Sequence, residues 1–211
     1  MAKESHSAPP KDTRERLLDS ATRLFAKQGF AATSVKQIAD AAGVNVSLVS
    51  YHFDGKEGLY RACLQRFSQI RLEATERILQ PPTSREEIRV RLQMFVEEVW
   101  RFHFENPDVN CMIHRDEDFE SAQALDTVGP AFGKMFQTIV DFFSVAQKRK
   151  LFRKDVDVSL ATQFFLGSMM FPALKDKMSE KLFNVTLKDP DYRNRMIKTL
   201  LQLFLDGFVL E

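Results

Sequence analysis

From Thr13 onward, apolar side chains recur at the three- and four-residue spacing of an α-helix, and no stretch alternates apolar with polar residues for the length of a strand. Glycine and proline cut this pattern into segments, so an all-α chain of several helices is expected. Leu17, Leu18, Ala21, Leu24 and Phe25 share one face of a first helix, which Gly29 would stop in the manner of a left-handed cap. Thr33 and Ser34 are N-cap candidates for a brief second helix, whose stripe is Val35, Ile38, Ala39 and Ala42 and which Gly43 ends. Asn45 can cap a third, with Val44 and Val49 placed as a hydrophobic staple and Phe53 closing the inner face. A fourth begins near Gly55 and Lys56 and runs through Leu59, Cys63, Phe67 and Ile70 towards Leu79, where Pro81 and Pro82 stop it.

Beyond the prolines, Ile88, Leu92, Phe95, Val96, Val99 and His103 form one face of a helix over Ser84 to Glu105, closed by Pro107. Asp108 to Glu117 reads as a short helix or irregular piece. A long helical stretch from about Phe119 to Leu151 follows, with an interruption expected at Gly129 and Pro130 and a stripe of Phe132, Phe136, Ile139 and Phe143. Two further helices, residues 158–182 and 192–209, are apolar on more than one side. Such helices must be covered twice: by the monomer core, and by a second copy of the same pair in a two-fold bundle. The alternative is a monomer in which both helices are central.

The balance of thirty Lys plus Arg against twenty-nine Asp plus Glu sets up no global basic field, so any nucleic-acid binding must be local. Cys63 and Cys111 cannot form a disulfide framework, and the first residues lack the apolar stretch of a secretory signal. No apolar run reaches the roughly 20 residues that span a bilayer. A cytoplasmic protein without membrane contact is expected. Cys111, His114 and the carboxylates of Asp116 to Asp118 offer a thiol, an imidazole and acids, but without the paired spacing of a zinc motif, so neither metal nor cofactor is expected. Cys63, spaced with Leu59 and Phe67, reads as packing. No phosphate-binding glycine loop, nucleophile elbow or working carboxylate pair suggests an enzyme.

Two short helices joined by a tight glycine turn meet the requirements of a helix-turn-helix, whose second helix enters the major groove. A groove about 12 Å wide admits one helix, and only its leading residues reach base edges, so a short reader suffices. The face opposite Val49 and Phe53 carries Val46, Ser47, Ser50 and Tyr51 for base edges or phosphates. Thr33 and Lys56 stand at helix starts, where phosphates can be held.

The run TRERLLDSATRLFAKQGFAATSVKQIADAAGVNVSLVSYHFDGKEGLY, Thr13 to Tyr60, resembles the N-terminal DNA-binding domain of the TetR/AcrR family of transcriptional regulators. The resemblance implies an N-terminal three-helix helix-turn-helix domain plus a C-terminal helical ligand-binding and dimerisation body. The corresponding divisions are residues 1–12 as a flexible arm, 13–54 as the DNA-binding domain, 55–82 as a connecting helix and 83–211 as the body. It further implies phosphate contacts from Thr33, His52 and Lys56. This chain departs from the family pattern at Asn45, Val46 and Ser47, at Ser50, where a tyrosine is frequent, and at Gly55, where a serine cap is frequent; Tyr51 stands one position later than the usual tyrosine. Without the family pattern, Tyr51 and His52 read as packing against the fourth helix and Lys56 as a solvated charge.

The implied function is a ligand-responsive regulator, in a family mostly of repressors, binding an inverted-repeat operator in double-stranded DNA as a homodimer through the last two helices. Trp100, His103, Phe132, Phe136 and Met169 are candidates to line a pocket for a small-molecule effector of apolar or aromatic character, with core packing as their alternative. A helical enzyme, or an adaptor working through protein contacts alone, is the competing reading.

Overall fold

The computed structural model describes residues 12–115 and 122–208, and they form ten α-helices with no β-sheet. In chain order these are α1 (Thr13–Ala32), α2 (Val35–Ala42), α3 (Ser47–Phe53), α4 (Gly55–Ile78), α5 (Arg85–Glu105), α6 (Pro107–Arg115), α7 (Ala122–Lys148), α8 (Val158–Leu174), α9 (Asp176–Phe183) and α10 (Pro190–Phe208). Most of the 1–12 arm, residues 116–121 and Val209 lie outside the described residues. The chain divides into two compact units: residues up to Phe67 with Asp108–Val128, and Ser68–Pro107 with Gly129–Glu211.

In the first unit the helix ends follow from local chemistry. The Ser34 hydroxyl accepts from the Gln37 N–H, while the Gln37 side chain accepts from the Ser34 N–H, a reciprocal capping box that starts α2. Gly43 ends α2 at φ 63°, ψ 42°, a left-handed conformation natural to glycine. Arg16 of α1 donates to the carbonyls of Ala42 and Gly43, so the turn between α2 and α3 is held from across the domain. Asn45 accepts from the Ser47 N–H at 2.9 Å, but it stands one residue before the N-cap of α3, Val46, which has no side-chain cap of its own. Leu17, Leu18, Ala21, Phe25, Ile38, Ala39, Val49, Phe53, Leu59, Cys63 and Leu64 are buried and make the small core. Tyr60 sets its ring edge-on to both Phe25 and Phe30, at 5.1 and 5.0 Å. Arg66 of α4 pairs with Glu15 and Asp19 of α1, each at 3.0 Å.

The junction of α3 with α4 is the tightest part of this unit. Asp54 takes a left-handed conformation at φ 58° and Gly55 one at φ 92°, which turns the chain back on itself. A methyl group on Gly58 would then lie 1.6 Å from the Phe53 carbonyl oxygen. Only a residue without a β-carbon fits there.

The second unit packs Trp100, Phe95, Phe142, Phe143, Phe152, Phe165 and Phe204 into one aromatic-rich core shared by α5, α7, α8 and α10. Phe143 sits at its centre, 5.2 Å from Phe152, 5.5 Å from Phe204 and 6.2 Å from Phe165. At the start of α5, Ser84 accepts from the Glu87 N–H, and the Glu87 carboxylate accepts from the backbone N–H and the hydroxyl of Thr83 and is held by Arg91. These donors hold the Glu87 carboxyl down at about 2.

Three expectations are corrected. Gly29 breaks the regular helix at a positive φ of 81°, as expected, but with ψ 166° it does not end α1: helical residues resume after the kink as far as Ala32. The long helix is not interrupted at Gly129 and Pro130: α7 runs through both, with Pro130 inside it. The helix expected over 158–182 is two helices. Lys175, at φ −106° and ψ 16°, separates α8 from α9, and the buried Asp176 carboxylate accepts from the Thr186 hydroxyl and the Leu187 N–H, tying the following loop to the start of α9.

Two outcomes test this account. Gly58→Ala is expected to destabilise the protein by about 3 kcal/mol or more, because the clash is with backbone and cannot be relieved by a rotamer; denaturant unfolding measures it. Glu87 contributes stability that is complete above its ordinary value of 4.5 and is lost as pH falls towards about 2. Thermal unfolding of Glu87→Gln should therefore fall less steeply than wild type across that window.

Candidate nucleic-acid interface

The α2–turn–α3 segment buries one face and offers the other. Ile38, Ala39, Val49 and Phe53 point inward, whereas Val46, Ser47, Ser50 and Tyr51 are exposed. The two largest of these are apolar in part or whole: Tyr51 is 80% exposed and Val46 48% exposed. Val46 stands at the N-cap of α3 and Tyr51 within it. The Tyr51 ring meets His52 edge-on at 4.9 Å, and His52, half-buried, also lies 6.1 Å from Phe53. Ser47 donates its hydroxyl to Asn45 at 2.8 Å, which fixes its position on the leading turn.

Thr33 and Lys56 are engaged within the domain. Thr33 is only 2% exposed, and its hydroxyl donates to the Gly29 carbonyl at 2.7 Å. The extended backbone at Thr33 turns this hydroxyl back towards the end of α1, while its neighbour Ser34 stays exposed. The Lys56 ammonium donates to the carbonyls of Phe30 at 2.9 Å and Thr33 at 3.0 Å and lies 4.3 Å from the centre of the Phe30 ring. It is neither a solvated charge nor a bare one: it caps the carbonyls that α1 leaves open at its end. Spacing along the chain gives no sign of this contact, since the partners are more than twenty residues apart.

Two of the residues expected to line an effector pocket, Trp100 and Met169, lie in the core. Trp100 is fully buried and donates its indole N–H to the Met169 carbonyl at 2.8 Å, and Met169 is buried with it. These two are core. His103 is half-buried, edge-on to Phe104 at 5.2 Å, and Phe132 and Phe136 are half-buried on α7. A cavity of about 710 Å³ in the second unit is lined instead by charged side chains, among them Arg77, Glu97, Glu98, Arg101 and Lys188, with Ile78 and Met94. A second, of about 460 Å³, lies between Phe164 and Ser168 of α8 and Met196, Leu200 and Leu203 of α10. No group of three or more His, Cys, Asp or Glu side chains able to hold a metal occurs among the described residues, and no helix among them is long and apolar enough to cross a membrane. The acids at 116–118 lie outside those residues.

Comparison with known proteins gives this geometry its context. Residues 17–63 match the model of bacterial regulatory proteins of the tetR family. The chain is 30% identical over 169 residues to the HTH-type transcriptional repressor KstR2 of Mycolicibacterium smegmatis (strain ATCC 700084 / mc(2)155), covering 78% of each chain. It is 44% identical over 55 residues to the probable HTH-type transcriptional regulator YttP of Bacillus subtilis (strain 168), a match that spans 26% of this chain and only 27% of YttP. Among solved structures, SmeT, the repressor of the Stenotrophomonas maltophilia multidrug efflux pump SmeDEF, superposes with a TM-score of 0.69 at 17% identity, over 95% of this chain and 92% of SmeT. SmeT in complex with triclosan gives 0.74 at 18% identity, over 95% and 93%. KstR2 of Mycobacterium tuberculosis gives 0.67 at 19%, over 99% and 100%. The fold, the exposed face of α3 and the relationship to KstR2 along most of both chains lead to one conclusion: this chain belongs to the TetR family of bacterial regulatory proteins, which are DNA-binding regulators of transcription and not enzymes.

Proposed function

We propose that the protein is a cytoplasmic repressor that binds an inverted-repeat operator as a homodimer and changes its DNA affinity when a small molecule enters its body. The observation that carries the DNA-binding part is the side-chain division of α3. Val49 and Phe53 anchor the helix in the core while Val46, Ser47, Ser50 and Tyr51 face outward, so the reading surface is presented on a rigid base. Repression is supported by KstR2, the relative matched over most of this chain. An effector is supported by the fold shared with SmeT, which is known with triclosan bound.

Residues 13–54 act as the DNA-binding domain, 55–82 as the connecting helix and 83–211 as the effector and dimerisation body. On α3, Val46, Ser47, Ser50 and Tyr51 choose the sequence; His52 and Lys56 contact phosphate. Lys56 does so from its position at the end of α1, where it can exchange a carbonyl for a phosphate oxygen. The buried hydroxyl of Thr33 argues for exposed Ser34 as the phosphate contact at the start of α2. Half-buried His103, Phe132 and Phe136 remain the candidates to meet the effector.

The homodimer is supported by the outward faces of the last helices. Phe164 is 68% exposed and Leu203 74%, and both line the approximately 460 Å³ cleft between α8 and α10; Phe171 of α8 is 61% exposed as well. With Gly167 and Ser168 beside them, two copies can approach closely.

Selection of bound duplexes from a random pool, with and without candidate metabolites, is expected to return a two-fold symmetric site and a response to at least one metabolite. Tyr51→Ala should leave stability within about 0.5 kcal/mol yet change which duplexes are retained, whereas Phe53→Ala should cost about 3–5 kcal/mol of stability. Lys56→Ala should weaken all duplexes alike and lower the salt slope by about one. A pool returning no preferred sequence would sink the proposal. For the dimer, Leu203→Arg should give monomers by sedimentation at micromolar concentration; wild type sedimenting as a monomer would refute the interface.

A further inference from the structure

Arg71, on the second half of α4, is only 8% exposed, and its Nη1 atom has no hydrogen-bond partner among the described residues. Its guanidinium lies 5.3 Å from the centre of the Phe102 ring on α5. The nearby carboxylate on α5, Glu98, is already taken: Arg101 pairs with it at 2.6 Å and holds Glu105 at 2.6 Å as well. Glu98 attracts Arg71 but Arg101 repels it, and burial, the largest influence, pulls the guanidinium down to about 10, so it stays cationic at neutral pH. A buried cation with an open N–H, for which no ion pair is seen among the described residues, is costly to a fold and calls for an explanation.

Other features of the molecule do less. Cys63 is buried and packed, and buried Asp176 is satisfied by the loop it ties down. The apolar α8–α10 cleft belongs to the dimer reading above.

We propose that Arg71 is the anchor for the anionic head of the effector: a carboxylate or phosphate oxygen completes the open guanidinium, and an apolar body of the same ligand lies against the Phe102 side of the α4–α5 seam. The planar fork of arginine suits the two oxygens of either head, and a low-dielectric surrounding strengthens the pair. The effector class is thus an amphipathic organic anion. This inference rests on the reading of the body as an effector-binding domain.

The test is thermal unfolding of the full chain with octanoate, octyl phosphate and phenylacetate, each set against its uncharged counterpart, octanamide, octanol and phenylacetamide. At least one anion should raise the midpoint by a few degrees while its counterpart does not, and the anion that does so separates carboxylate from phosphate. In Arg71→Met the shift should vanish, and the ligand-free variant should melt no lower than wild type, since an uncompensated buried charge has been removed. Should Arg71→Met not fold, Arg71→Lys decides, because it keeps the charge without the fork: a reduced shift supports the assignment and an unchanged one overturns it. Anions that leave wild type unmoved, a shift that persists in folded Arg71→Met, or a folded Arg71→Met melting several degrees lower also overturns it. Duplex binding by the same wild-type preparation separates the two readings. Binding to DNA without any anion response refutes the Arg71 assignment alone, and an anion response without DNA binding refutes the regulator reading.

Discussion

The approach of Gly58 to the Phe53 carbonyl governs the DNA-binding head. With a methyl group excluded at 1.6 Å, the first turn of α4 lies directly under the last turn of α3, and the chain between them must reverse within Asp54 and Gly55. The direction of α3 follows from this. Phe53 is driven into the core, Val49 follows one turn earlier, Leu48 and His52 are left half-buried at the edges, and Ser47, Ser50 and Tyr51 face out. A seven-residue helix is too short to hold itself together, so its shape is imposed by what it is packed against.

The contacts around that junction act as a frame. Arg16 steadies the turn before α3, Lys56 steadies the end of α1, and Arg66 links α4 to α1 through two carboxylates. Exposed ion pairs contribute little to stability by themselves, and the geometric effect matters more: three long cationic side chains from α1 and α4 connect segments that are distant in sequence. In the second unit the corresponding role falls to aromatic packing, with Trp100 adding one directed hydrogen bond to α8.

Local chemistry was legible in the sequence where its causes are local. The glycine at 43, the cap at Ser34, the Asn45 contact to the Ser47 N–H and the inward set Ile38, Ala39, Val49 and Phe53 all follow from a few adjacent residues. The exposed set on α3 follows from the same periodicity. What spacing could not reveal depends on partners far along the chain. Lys56 looks like a free charge until Phe30 is placed beside it, and Thr33 looks like a surface hydroxyl until the backbone turns it towards Gly29. Met169 and Trp100, set down as pocket walls, are joined across 69 residues of sequence. The continuous apolar run after Val158 hid the break at Lys175, because hydrophobicity on every side erases the periodic signal that marks a helix end.

Cys63 gives this head an internal clock. Its thiol donates to the Leu18 carbonyl at 3.7 Å, and burial raises it to about 11, which disfavours the reactive thiolate while the domain is closed. Oxidants and alkylating reagents therefore reach it chiefly through moments when α1 and α4 separate. The rate at which Cys63 reacts becomes a measure of how often the head breathes, and any ligand or DNA that clamps those helices together will lengthen the interval between openings.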